Sequence, residues 1–84
     1  PFNPETRIVY GIPEDLAPGD RVSLEIFSIN GMLVRRLEVD RAPGWHEILW
    51  DGTNERGQVS PTGLYVTRLV CGTITDSRKM TMVK

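Results

Sequence analysis

The 84-residue chain predicts an all-β fold, an antiparallel sandwich of about seven short strands. Three observations carry that expectation. Eight Gly and six Pro interrupt the chain at intervals suited to strands, and the segments between them are rich in Val, Ile, Leu and Thr. Within those segments apolar and polar residues alternate with period two, as on a strand with one buried face. Nowhere is a 3.6-residue apolar period sustained long enough to build a helix.

The first strand is expected at residues 6–12, where Ile8, Tyr10 and Ile12 alternate with Arg7, Val9 and Gly11 until Pro13 ends it. Residues 13–20 contain two prolines and a Pro-Gly pair, which remove ladder donors and favour turns, so they read as a loop. In the second strand, residues 22–29, Val22, Leu24 and Ile26 share one face and Ser23, Glu25 and Phe27 the other. Asn30-Gly31 supplies the positive φ angles of a type I′ turn, which returns the chain antiparallel over residues 32–39.

Ala42-Pro43-Gly44 breaks the chain again before a strand at 45–50. There His46, Ile48 and Trp50 point one way, and Trp45, Glu47 and Leu49 the other. Residues 51–60 read as a polar loop with a brief extended piece near 58–60. The last two strands, 64–71 and 74–83, are joined by a tight turn at Gly72-Thr73. Gly63, Tyr65 and Thr67 fall at the spacing of the tyrosine corner of immunoglobulin domains, with Thr67 where a disulfide cysteine would stand. The fold is therefore expected to be Ig-like, centred on Trp50 and without a crosslink, since Cys71 is the one cysteine.

Composition narrows the function classes. Apolar residues at 39% and charged residues at 25% place the chain among globular domains, and a chain of this length builds one core, so residues 1–84 form a single domain. No apolar run reaches the roughly 18 residues of a spanning helix, so no membrane span is expected. With a net charge of -1 and cations dispersed among anions, there is no basic stripe of the kind a phosphate backbone requires, and nucleic acid is not an expected partner. The chain starts at Pro1 inside a turn-like segment, which suggests excision from a longer parent, and Lys84 reads as a natural end.

No residue set reads as catalytic, and no cofactor or metal is expected. His46, Asp51 and Ser60 contain the types of a hydrolytic triad, but nothing nearby supplies an oxyanion hole or cleft; His46 is expected at the edge of the core, bonded to a neighbouring loop. Asp51, Asn54 and the backbone near Gly57 could offer oxygens to calcium. Yet the alternating acids and the bidentate Glu of a calcium loop are missing, and an Asx-turn at Asp51-Gly52 competes. If Trp50 is inside, Trp45 is outside beside Leu49, and exposed aromatic patches dock partners or stack on sugars. Trp45, Leu49 and Phe27 are the candidate interaction surface. Trp50, Asp51, Gly52, Gly63, Tyr65 and His46 are expected to serve the architecture, and Cys71 to be an inert small residue.

Together these elements resemble the immunoglobulin-like domain at the C-terminus of flagellar hook-capping proteins. The same family shades into the C-terminal sorting domains of type IX secretion on large secreted bacterial proteins. Pro1-Phe2-Asn3-Pro4 with Thr6, Ile8 and Tyr10 resembles the family's opening, and Val22 to Phe27 with Asn30-Gly31 its central hairpin. His46, Trp50-Asp51-Gly52, Gly57, Gly63-Leu64-Tyr65, Lys79-Met80 and Lys84 resemble the remainder. Met32 stands where the family often carries Arg, and Thr62 where it often carries Ser.

The resemblance implies a non-catalytic C-terminal module that sorts, anchors or spaces a secreted or cell-surface bacterial protein. Its expected partners are other domains of the parent chain, the secretion machinery and cell-surface components, and Lys79 and Lys84 are the implied sorting determinants. The alternatives are an assembly scaffold like the hook-capping domain, and a small carbohydrate-binding module using Trp45.

Overall fold

In the computed structural model, residues 6–83 are described, and they form six strands: β1 (Thr6–Ile12), β2 (Val22–Ser28), β3 (Leu33–Leu37), β4 (Gly44–Trp50), β5 (Gly63–Cys71) and β6 (Ile74–Met82). β1 and β4 make one sheet, and β3-β2-β5-β6 the other, with every pairing antiparallel. The two layers close as a sandwich. The opening Pro1-Phe2-Asn3-Pro4 segment and Lys84 lie outside the described residues. Among the described residues the count of about seven strands is corrected to six, because the piece expected at 58–60 is reduced to a single bridge between Thr53 and Val59.

The β2–β3 connection is not the type I′ turn expected from Asn30-Gly31. That turn needs positive φ at both central residues, and among the described residues only glycines have it, Gly31 at 89°. Instead the Gly31 N–H donates to the Ser28 carbonyl at 2.9 Å, and the Ser28 N–H to the Met32 carbonyl at 2.8 Å. This is a three-residue loop, a type I turn closed by a left-handed glycine. The longer loop shortens β3 to five residues. The pairing then slips between Ile26 opposite Arg35 and Phe27 opposite Leu33, leaving Val34 as the extra residue of a bulge. At the other hairpin, Gly72 has φ 59° while Thr73 does not follow it, the pattern of a type II′ turn with Gly first.

The core draws on both layers: Ile8, Tyr10 and Ile12 from β1, Trp50 from β4, Leu24 and Ile26 from β2, Tyr65, Leu69 and Cys71 from β5, and Met82 from β6. Trp50 is 1% exposed and sets its ring edge-to-face against Tyr65, with centroids 5.2 Å apart. Its indole N–H donates to the Thr53 carbonyl at 2.9 Å, so the largest core side chain is buried with no unsatisfied polar atom. Strand register places Thr6, Trp50, Ser28, Gly63 and Met82 at one pole, and Ile12, Gly44, Val22, Cys71 and Ile74 at the other.

Candidate functional site

Strand parity on β4 follows the sequence. Trp50 is buried, His46 and Ile48 are half-buried, and Trp45, Glu47 and Leu49 are exposed. Trp45 is 74% exposed, yet it is not an unconstrained side chain. It stands opposite Gly11, and a Cβ built on Gly11 would meet the indole at 3.0 Å, so the ring lies across β1 where that residue has no side chain. Val9 and Leu49, also exposed, share this outer face, and Arg7 pairs with Glu47 across it at 3.2 Å.

Phe27 is not part of that surface. It lies on the outward face of the larger sheet, across the sandwich from Trp45 and Leu49, with the Arg68 guanidinium 4.8 Å above its ring. The three residues grouped as one candidate interaction surface therefore fall on two opposite faces. Reading each strand by parity gave the correct side within its own sheet, but could not say which outward faces coincide.

The residues expected to serve architecture are tied into turns and corners. The Tyr65 hydroxyl donates to the Pro61 carbonyl, pinning the connection just before Gly63 starts β5. Asp51 Oδ1 accepts from the Thr53 N–H at 3.0 Å and the Thr53 hydroxyl at 2.6 Å. These bonds close an Asx-turn and hold the carboxyl below its ordinary value, the Thr53 hydroxyl contributing most. Gly52 makes room for Met82, whose sulfur would lie 2.8 Å from any Cβ added there. His46 stacks on Tyr10 with centroids 5.2 Å apart, and its Nε2–H donates to the Ala42 carbonyl at 2.6 Å.

His46, Asp51 and Ser60 are not assembled for hydrolysis. His46 bonds at the Ala42 end of β4, and Asp51 lies past Trp50, about 17 Å of extended chain away. Ser60 is buried where its N–H meets the Gly52 carbonyl. Of the oxygens considered for calcium, Asp51 Oδ1 accepts from Thr53, and Asn54 Oδ1 from the N–H groups of Arg56 and Gln58. Among the described residues no group of three His, Cys, Asp or Glu is placed to hold a metal. Cys71 is buried, and that burial pushes its thiol pKa up, away from the reactive thiolate.

The strongest polar cluster was not singled out in the sequence. Glu25, 6% exposed, sits on the outward face of central β2. Arg36 on β3 donates to its Oε2 from Nη2 at 2.8 Å and Nε at 3.3 Å. Arg68 on β5 donates to Oε1 at 2.8 and 3.1 Å. The carboxylate is thus clamped from both neighbouring strands, and these bonds, Arg36 first, hold its pKa below the ordinary value. The signal was present as Glu25 amid apolar residues, but it needs the cross-strand pairs Glu25–Arg36 and Glu25–Arg68 to be read. A second cluster docks the 51–60 loop on edge strand β3. Arg35 donates to the Thr53 hydroxyl and the Asn54 carbonyl, and the Glu55 N–H donates to the Val34 carbonyl.

Lys79 lies on β6, paired opposite Val66 and exposed, and Arg78 bonds to Asp76 at 3.2 Å. No helix among the described residues is long and apolar enough to cross a membrane.

The described residues thus form a crosslink-free Ig-like sandwich of two antiparallel sheets. Residues 14–71 match the family model described as the FlgD Ig-like domain, and the chain belongs to that family, the hook-capping type of Ig-like domain. No curated protein and no solved structure matches the chain.

Proposed function

We propose that the domain is a non-catalytic assembly scaffold of the hook-capping kind, a rigid module whose outer faces pack against neighbouring subunits or domains. The observation that supports this most is the family match over residues 14–71. Beside it, the polar side chains His46, Asp51 and Glu25 are occupied in holding strands and turns together. The outward Val9, Trp45 and Leu49 surface, apolar and exposed, is the face we assign to packing.

The sorting or anchoring role implied by the sequence resemblance, in a secreted or cell-surface bacterial parent, is the second reading. It is favoured by Lys79, which is exposed near the end of the last strand. One experiment separates the two. Residues 6–83 are deleted from the full parent chain, and both assembly, by light scattering, and cellular location, by fractionation, are measured. Lost assembly with unchanged location supports the scaffold. Lost export with intact assembly overturns it in favour of sorting, and no change in either refutes both.

A further inference from the structure

The two layers differ in width. β1 pairs with β4 alone, so its other edge is unpaired among the described residues, while on the opposite layer β6 extends past it. The result is a seam that runs the length of the sandwich, between the open edge of β1 and the inward face of β6. At the Trp45 pole it widens to about 620 Å³, over Ile12, Leu69, Cys71 and Ile74. In the middle, where Asp76 and Arg78 face Val9, it narrows to about 10 Å³. At the other pole it reopens to about 230 Å³ beside Ile8 and Met80.

We infer that this seam is the docking site for one extended strand of a partner protein, which pairs antiparallel with the open edge of β1 and adds a third strand beside β1 and β4. The inference deepens the scaffold reading and rests on it for the partner being a protein. An edge of seven residues without an internal proline leaves alternate backbone N–H and C=O groups open to a ladder, the condition for strand addition. The partner is a single strand rather than the same edge of a second copy. Joined β1 to β1, each copy would drive its protruding β6 into the space of the other's β5.

The shape of the seam specifies the strand. Inward side chains recur every second residue, so the occupant presents a large apolar residue to the Trp45 pocket and a small one to the waist, then an aliphatic residue to the Met80 pocket. At the waist Asp76 and Arg78 neutralise each other, so the small residue there is uncharged. Charge fixes the direction. Lys79, with no ion pair among the described residues to offset it, lines the Met80 pocket, whereas Glu14 and Asp15 follow directly in the chain after Pro13, which lines the Trp45 pocket. A strand antiparallel to β1 therefore carries basic residues at its N-terminal end and acidic ones at its C-terminal end. The outward residue beside Gly11 meets the Trp45 indole, which already lies across that position.

The test uses the domain and the acetylated, amidated octapeptide KITTTVDE, with Ile, Thr and Val inward. Controls are KITPTVDE, which loses a central donor, and the charge-swapped EITTTVKK. With KITTTVDE at millimolar concentration, hydrogen exchange of alternate β1 amides should slow by about fivefold or more, and KITPTVDE should have no such effect. Ile74→Glu, at an exposed position in the larger pocket, should weaken binding by about tenfold with an unchanged circular dichroism spectrum. Lys79→Glu should reverse the preference between KITTTVDE and EITTTVKK. Unprotected β1 amides, protection of the β3 or β6 edge instead, or equal protection by the proline peptide would each overturn the inference. None of these outcomes bears on whether the parent chain needs the domain for assembly, which the deletion experiment reads separately.

Discussion

Replacing Glu25 by Gln keeps the size and one acceptor oxygen of the side chain but removes the charge that Arg36 and Arg68 share. Breaking a fully buried ion pair costs about 3 to 5 kcal/mol, because the partner is left charged in a dry site. Here the carboxylate is buried, at 8% side-chain exposure, but the two arginines are 48% and 44% exposed. Their guanidinium groups can therefore rehydrate once released, and the loss is reduced accordingly. What remains is the difference between charge-assisted and ordinary hydrogen bonds at two contacts, about 2 kcal/mol. For a domain of this size that lowers the Tm by roughly 8 to 16 °C.

The pH dependence provides an independent check. Because the fold depresses the Glu25 pKa below its ordinary value of 4.5, its stabilisation is fully present above 4.5 and is lost as pH falls through the folded pKa. Urea titrations of both proteins between pH 7 and pH 2 should show a stability gap that is constant above 4.5 and closes below it. A gap under about 0.5 kcal/mol at pH 7, or one that widens on acidification, would refute the clamp as the reason Glu25 is tolerated there.

Two further substitutions probe the ends of β5. Tyr65→Phe removes the hydroxyl that bonds to Pro61 but keeps the ring against Trp50, so denaturant titration should show a loss of about 1 kcal/mol; no loss would mean the corner is held by packing alone. Gly72→Ala forces a left-handed residue at φ 59° and puts a methyl 3.0 Å from the Asp20 carboxyl. It should cost about 1 to 2 kcal/mol, and a neutral result in thermal melts would show that the turn can change type.

Much of the fold is legible in the sequence because strands and turns are local. The β1 bounds, the inward direction of Trp50 and the Tyr65 corner follow from alternation and from punctuation by Gly and Pro. What is not legible depends on pairing. Asn30-Gly31 satisfies the rule for a type I′ turn, yet the chain closes there with a three-residue loop and a bulge at Val34, and a dipeptide carries no record of either. Phe27 and Trp45 are both outward aromatics, and strand parity alone does not show that they sit on different sheets. Glu25 read as an ordinary outward residue of a half-buried strand. Only the registers to Arg36 and Arg68 show that the outward face of a central strand can be closed over by its neighbours.

The missing seventh strand is a case where local chemistry outcompetes the sheet. Between Trp50 and β5, Asp51 closes an Asx-turn and Asn54 caps a second turn through the N–H groups of Arg56 and Gln58, which leaves only Thr53 and Val59 to pair. A segment so folded on itself needs an anchor, and Arg35, 32% exposed, supplies it through Thr53, Asn54 and Asp51. Arg35→Met keeps the aliphatic stem and removes these bonds, a local loss of about 1 to 1.5 kcal/mol. Exchange of the Glu55 amide, bonded to Val34 across the dock, should then accelerate about tenfold while β5 amides keep their protection. If β5 and Glu55 accelerate together, the loop is part of the global folding unit and Arg35 holds the sandwich as a whole; if neither changes, the Arg35 contacts do not anchor the loop.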